Sequence, residues 1–247
     1  MPTQNRRSDR SPSGHFERVE RPERSERPER SERVERPERS ERPERSERSE
    51  RLPRPFYDRP TLVVAKDLLG KVLVHRTPAG VAAGMIVETE AYIGENDAAC
   101  HAAPGPTRRN APLYGLPGIA YVYLNYGIHY LVNAVTESEG HPAAVLIRAL
   151  EPVEGAELMA TRRAPDGRPV DRADLCRGPG NLTRALGITL QQNRLDLTGS
   201  DLSVEDRGFR RGRVSWGPRI GIRVAVHRPW RCWIAGNASV SGSRRQA

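Results

Sequence analysis

The segment IVETEAYIGENDAACHA, residues 86–102, gathers Glu88, Glu90, Tyr92, Asp97 and His101 at the end of an apolar run. In an extended chain successive side chains point to opposite faces. Glu88, Glu90 and Tyr92 therefore share one face, and Val87, Thr89 and Ala91 the other. Two neighbouring carboxylates repel, so one of them needs a raised pKa or a cationic partner. Arg148, directly after the apolar Val-Leu-Ile of residues 145–147, is the candidate cation. Three readings are open. The carboxylates can serve acid–base catalysis. Glu88, Glu90, Asp97 and His101 can ligate Mn²⁺, Fe²⁺ or Zn²⁺. Or both glutamates can face solvent at a strand end, the usual fate of charged side chains. The metal reading lacks the paired histidines at helical spacing that mark a zinc site, and His129 and His141 fall in other elements.

Four of the seven tyrosines, Tyr121, Tyr123, Tyr126 and Tyr130, crowd into YVYLNYGIHY. Tyr121 and Tyr123 alternate onto one strand face. Flat rings with polar tips stack well on a planar base, although a half-buried, tyrosine-rich sheet carries the same pattern. Tyr126 precedes Gly127 on a tight turn. A large ring there is poorly placed for a core and well placed to insert between base pairs.

These side chains need elements to hold them. From Thr61, the apolar residues Leu62, Ala65, Leu68 and Leu69 line one side of a helix that Gly70 closes. KVLVHR and VAAGMIVETEA read as two strands joined through TPAG as a hairpin. Residues 94–118, rich in Gly, Pro and Asn, form a long loop with a short helix near Asp97–Ala102; loops of this length are usually functional. IAYVYLNYGIHYLVNAV gives two strands about the Tyr126-Gly127 turn, and AAVLIRALEP another. EGAELMATRRA and RADLCRGPGNLTRALGI are helical, the latter broken at Gly-Pro-Gly, and RVSWGPRIGIRVA is a late strand pair. The expected class is α+β: a single domain over residues 52–247 with a mainly antiparallel, curved sheet and surrounding helices.

Residues 1–51 differ in kind, with twelve x-Glu-Arg triplets running from Phe16 to Arg51. With almost no apolar side chain they cannot offset the entropy of ordering, and recurrent proline opposes a long helix. This segment is expected to be a disordered tail, a tether or a weak interaction segment. It holds 15 Arg against 13 acids, which leaves 25 basic and 18 acidic residues in residues 52–247, a formal +7 of the chain's +9. Lys66 and Lys71 are the only lysines. The balance suits a polyanion such as nucleic acid, while an Arg- and Ala-rich composition also follows from a GC-rich genome. Cys100, Cys176 and Cys232 are too few and too scattered for a disulfide framework, which points to a reducing cytoplasm. No apolar run reaches transmembrane length, and MPTQNRRSDRS lacks the apolar segment of a signal peptide.

Taken in order, VETEAYIG, the Asp97, His101 and Thr107–Asn110 positions, LPGIAYVYLNYGIHYLVN, VLIRALEP, GPGNLT and PRIGI resemble the alkyladenine (3-methyladenine) DNA glycosylases. These are single-domain mixed α/β enzymes, distinct from the helix-hairpin-helix glycosylases. The resemblance runs from Arg54 to Ser241 and is specific because several motifs coincide. It implies that Glu90 is the general base activating a water, held also by Arg148 and the backbone carbonyl of Ile220. Tyr92 would stack on one face of a flipped base, and His101 and Tyr123 on the other. Asn133 would select against the exocyclic amino group of guanine, and Tyr126 would fill the gap left in the duplex. Val132 stands where many members have Cys. The implied activity is hydrolytic removal of alkylated or deaminated purines from double-stranded DNA by a cytoplasmic, nucleoid-associated bacterial monomer. No metal, cofactor or membrane is involved. Lys66 and Lys71 lie in scaffold elements, so no Schiff-base step is expected. A non-catalytic damaged-DNA-binding protein and a metal-dependent hydrolase are the competing classes.

Overall fold

The computed structural model describes residues 50–242, all within the compact unit Arg45–Ala247. The expectation of disorder covers residues 1–51; residues 1–49 lie outside the described ones, and Glu50 and Arg51 form a strand instead. The strands are β1 (Glu50–Arg51), β2 (Val72–Thr77), β3 (Gly80–Ile93), β4 (Ala120–Asn125), β5 (His129–Val135), β6 (Ala143–Glu154), β7 (Leu202–Asp206), β8 (Val214–Gly217) and β9 (Arg231–Ile234). The helices are α1 (Arg54–Tyr57), α2 (Thr61–Asp67), α3 (Ala156–Arg163) and α4 (Pro179–Leu186). Among the described residues the nine strands form one sheet in the order β1-β7-β2-β3-β6-β5-β4, with β9 joined to β3 and β8 to β9. Every pairing is antiparallel. The class is α+β, as the strand-and-helix pattern implies.

Strand β3 is the centre of the arrangement. It pairs with β2 from Gly80 to Met85, with β6 along most of its length, and with β9 at Glu88, Thr89 and Glu90. Neighbours on both edges at that point explain why these three polar residues are fully buried. Opposite them β6 carries an irregularity: Ile147 pairs with Thr89 and Ala149 with Glu88, so Arg148 is an extra residue with no partner across the ladder. Such bulges bend a strand and re-aim a side chain.

Helix α2 packs on β3, β6 and β9, α4 on β5 and β6, and α3 on α4. Leu68, Leu69, Ile86, Ile147, Met159 and Leu182 contribute to the main core beneath them. α4 shows why its entry reads Gly-Pro-Gly. Gly178 precedes the helix at φ 88°, and Pro179 occupies a first-turn position, where a missing N–H costs nothing. A Cβ on Gly180 would lie 2.7 Å from the His129 ring, so only glycine lets α4 approach β5 this closely.

Three expectations are corrected. Residues 97–102 form successive turns instead of a helix, with the Cys100 N–H donating to the Asp97 carbonyl and Ala103 N–H to Cys100. The buried Asn110 amide donates to the carbonyls of His101 and Gly105 and so competes with helical bonding; the loop's helical turn is a 3-10 turn at Ala111–Tyr114. The late strand pair is only half realised. Val214–Gly217 forms β8, but its partner is β9, and residues 218–230 run outside the strands. Pro218 cannot donate to a ladder, and Arg219 is committed to a buried ion pair with Asp97. Finally, the sheet starts at Glu50, since β1 pairs with β7, a strand the sequence pattern did not announce.

Candidate active site

Both glutamates of the Glu-Thr-Glu run are fully buried, which removes the solvated strand end. Their surroundings differ. Glu88 receives four donors: Arg148 Nε at 3.2 Å, Arg231 Nε at 2.6 Å, and Ser241 through Oγ and its backbone N–H, each at 2.8 Å. Three of these donors fall on Oε1 and one, the Ser241 N–H, on Oε2. Glu90 Oε1 accepts the Ile220 N–H at 2.7 Å and lies 3.2 Å from Arg148 Nη1. Its Oε2 accepts the Tyr92 hydroxyl at 2.8 Å. One acceptor position of Oε2 thus has no donor among the described residues. Arg148, re-aimed by its bulge, is the cation the pair requires and bridges both carboxylates. Ile220 touches Glu90 through its N–H.

A cavity of about 510 Å³ is lined among others by Tyr92, His101, Tyr123, Asn133, Arg148 and Ile220; Glu90 is joined to it through Tyr92, Arg148 and Ile220, the three residues that hold its carboxylate. Tyr92 comes from the end of β3. The His101 and Tyr123 rings lie edge to face, centroids 4.4 Å apart. His101 Nδ1 sits 2.8 Å from the Tyr121 hydroxyl. Burial, reinforced by the Arg109 charge, lowers the His101 pKa below the usual 6.5, so this wall is uncharged at neutral pH. Burial, then the Glu90 charge and the hydrogen bond to it, drives the Tyr92 hydroxyl far above its ordinary range and keeps it a donor. Asn133 faces Tyr121 across the β4–β5 ladder and donates to the Tyr121 carbonyl at 3.0 Å. Cys100 also lines the cavity, but burial pushes its thiol up to about 11, so no thiolate nucleophile is present there.

Tyr126 also borders the cavity. It is 85% exposed at the β4–β5 hairpin tip, next to Ile128 at 72%. Its φ of +49° places a bulky residue in the left-handed region, a conformation rare enough to count as an outlier.

The four residues of the metal reading are dispersed onto other partners. Asp97 is held by Arg219, His101 by Tyr121, and Glu88 by two arginines and Ser241. Among the described residues no group of three or more His, Cys, Asp or Glu side chains is placed to hold a metal ion. No helix among them is long and apolar enough to cross a membrane. Three site residues carried no sequence signal of their own: Arg231 and Ser241 behind Glu88, and Arg219, which lies under Tyr92 with its guanidinium carbon 4.6 Å from the ring centre. Their partners are up to 153 residues away in the chain.

A buried carboxylate gripped by three cavity-lining residues thus stands beside aromatic walls and an exposed aromatic on a hairpin, an arrangement suited to hydrolysis at a planar substrate. The sequence model of the methylpurine-DNA glycosylase family matches residues 55–238. A protein of Methanocella arvoryzae named "Putative 3-methyladenine DNA glycosylase" is 52% identical over 194 residues, 77% of this chain and 95% of its own length. Proteins of the same name from Chlorobium phaeobacteroides and Rubrobacter xylanophilus are 46% identical over 195 residues (78% and 96% of the two chains) and 51% identical over 171 residues (69% and 86%). The chain belongs to the methylpurine-DNA glycosylase family and is a DNA-repair glycosylase, a hydrolase of N-glycosyl bonds.

Proposed function

We propose that this protein excises alkylated or deaminated purines from double-stranded DNA with water as the nucleophile, leaving an abasic site. The carrying observation is the buried Glu90 carboxylate, held by Tyr92, Arg148 and Ile220, all three of which line the cavity bordered by His101 and Tyr123. A purine turned out of the helix stacks between Tyr92 and the His101–Tyr123 pair. Turning it out costs a few kcal/mol, least at damaged pairs, and aromatic stacking returns about 1–3 kcal/mol. A neutral His101 suits a positively charged alkylpurine, which gains cation–π attraction from the rings. Glu90 takes a proton from the water as its oxygen attacks the anomeric carbon. The electrons of the broken C–N bond go to the base: a cationic alkylpurine leaves neutral, and a neutral base such as hypoxanthine leaves as its anion and takes up a proton from solvent. Arg148 and the Ile220 backbone hold the Glu90 carboxylate, Asn133 reads the base edge, and Tyr126 fills the vacated space in the duplex. The protein acts as a monomer in the cytoplasm, and no cofactor enters the reaction.

The test uses duplexes each bearing one defined lesion (7-methylguanine, hypoxanthine or ethenoadenine), with alkali cleavage at the abasic product as readout. A positioned base contributes about 10²–10⁴-fold, so Glu90→Gln is expected to lose at least about 10²-fold in release while still binding the duplex. Equal release by the variant would remove Glu90 from the chemistry. Binding to lesions without release by the wild-type chain would favour the damage-binding reading.

A further inference from the structure

Arg219 is not part of the proposed chemistry, yet it meets the end of β3 and the turns after Asp97, and it directly precedes Ile220, three of the segments that border the cavity. It is buried, and its ion pair with Asp97 is fully buried on both sides, Nη1 reaching Oδ2 at 2.5 Å and Nη2 reaching Oδ1 at 2.8 Å. Nη1 also donates at 3.0 Å to the carbonyl of Ala91, the residue between Glu90 and Tyr92. The guanidinium carbon lies 4.6 Å from the centre of the Tyr92 ring and 5.3 Å from that of Trp230. Asp97, in turn, begins the turns that carry Cys100 and His101: its carbonyl accepts the Cys100 N–H, and its carboxylate accepts that of Ala99. The residue after Arg219 is Ile220, whose N–H holds Glu90.

One planar, two-pronged cation therefore joins the Tyr92 wall, the turns carrying the His101 wall and the backbone that grips the Glu90 carboxylate. Burial alone would raise the Asp97 pKa, but the hydrogen bonds and charge of Arg219 outweigh it and lower it. The Nε of Arg219 has no hydrogen-bond partner among the described residues, which costs stability. A buried ion pair is often no more stabilising than well-packed apolar residues of the same volume. Bulk stability is thus a weak explanation for a pair at this place, and geometry a stronger one.

We infer that Arg219, anchored by Asp97, is a positioning residue that sets the spacing of the two aromatic walls and the placement of Glu90, and so governs which bases the cavity accepts. The inference rests on the glycosylase reading. It is tested by single-turnover base release with saturating protein, using duplexes with one hypoxanthine or one ethenoadenine. Two variants are compared with the wild-type chain: Arg219→Lys, which keeps the charge and loses the fork, and Arg219→Met combined with Asp97→Leu, which leaves no buried charge. Misplacement by an ångström can cost about 10²-fold, and discrimination by pocket shape spans about 10–200-fold. Both variants are expected to release hypoxanthine about 10²-fold more slowly. The hypoxanthine-to-ethenoadenine ratio should move by about tenfold toward the bulkier base, with affinity for undamaged duplex unchanged. A ratio of rate constants does not depend on the folded fraction, so partial unfolding cannot mimic this shift. Loss by the same factor on both lesions, or full activity in either variant, would overturn the role of Arg219 and leave the glycosylase standing. Failure of the wild-type chain to release either base would overturn both.

Discussion

Two glutamates separated by one residue have opposite fates. Glu88 takes most of its donors from Arg231 and Ser241, which do not line the cavity, whereas Glu90 is held by Tyr92, Arg148 and Ile220, which do. The Glu-Thr-Glu spacing puts them on one face and asks for a cation, but it does not say which carboxylate is free to act. That depends on donors brought in from β6, β9 and the chain near Ser241, far away in sequence. A stability difference follows. Glu88→Gln leaves the half-buried Arg231 without its counter-charge and the buried Arg148 with Glu90 alone, and breaking one side of a buried pair costs about 3–5 kcal/mol. In Glu90→Gln the remaining carbonyl oxygen can still accept from Ile220. At about 2–4 °C per kcal/mol for a domain of this size, Glu88→Gln is expected to lower Tm by on the order of 10 °C, clearly more than Glu90→Gln. Thermal unfolding of the two variants decides it. Equal shifts would mean that Glu88 does not anchor the arginines.

At the scale of elements, the strands were largely legible and the long loop was not. Period-two alternation and short turns mark β2 to β6, because a strand's faces are a local property of sequence. Residues 94–118 obey no period. Their fold is set by Asn110 reaching two carbonyls and by Arg219 pulling on Asp97, contacts that a window of neighbouring residues cannot contain. For the same reason residues 220–226, though apolar, do not form a strand: Val224 and Val226 remain about half exposed. The β4–β5 hairpin was read correctly as a tight turn, and the structure adds its cost. Tyr126 and Gly127 both take positive φ, at 49° and 70°, and the Ile128 N–H donates to the Asn125 carbonyl. A left-handed conformation costs an ordinary residue about 1–2 kcal/mol, and strain of this kind gathers at functional positions. Tyr126→Gly should therefore raise stability by about 1 kcal/mol while weakening capture of lesion duplexes. Denaturant unfolding and gel-shift titration of the same preparation measure the two effects. A variant both less stable and equally good at binding would contradict the assignment of Tyr126 as a wedge.

Across the whole molecule, net charge proved a blunter guide than the arrangement of charges. Many arginines counted toward the basic balance are committed internally, among them Arg54, Arg76, Arg148, Arg207, Arg219 and Arg231, each paired with a carboxylate. Two histidines make the remaining balance sensitive to pH. His75 is buried in β2 with Nδ1 2.8 Å from the Leu186 carbonyl, and His101 lines the cavity. Burial is the largest cause of depression in both, and each folded pKa lies below the usual 6.5. As pH falls through 6.5 the unfolded chain binds protons that the fold cannot yet accept. Stability rises with pH wherever the unfolded state holds more protons. The histidine contribution is therefore complete above 6.5, declines as pH drops below it, and levels off once pH passes the folded values. Asp97 is also depressed, from 3.8, so its contribution is lost only in stronger acid and does not confuse this window. Thermal unfolding from pH 7.5 to pH 5 is expected to show a falling Tm in the wild-type chain and a flatter profile in His75→Gln combined with His101→Gln, whose amides do not titrate. If the double variant followed the wild-type profile throughout, the acid sensitivity would belong to other groups, and the neutral His101 wall would lose its support.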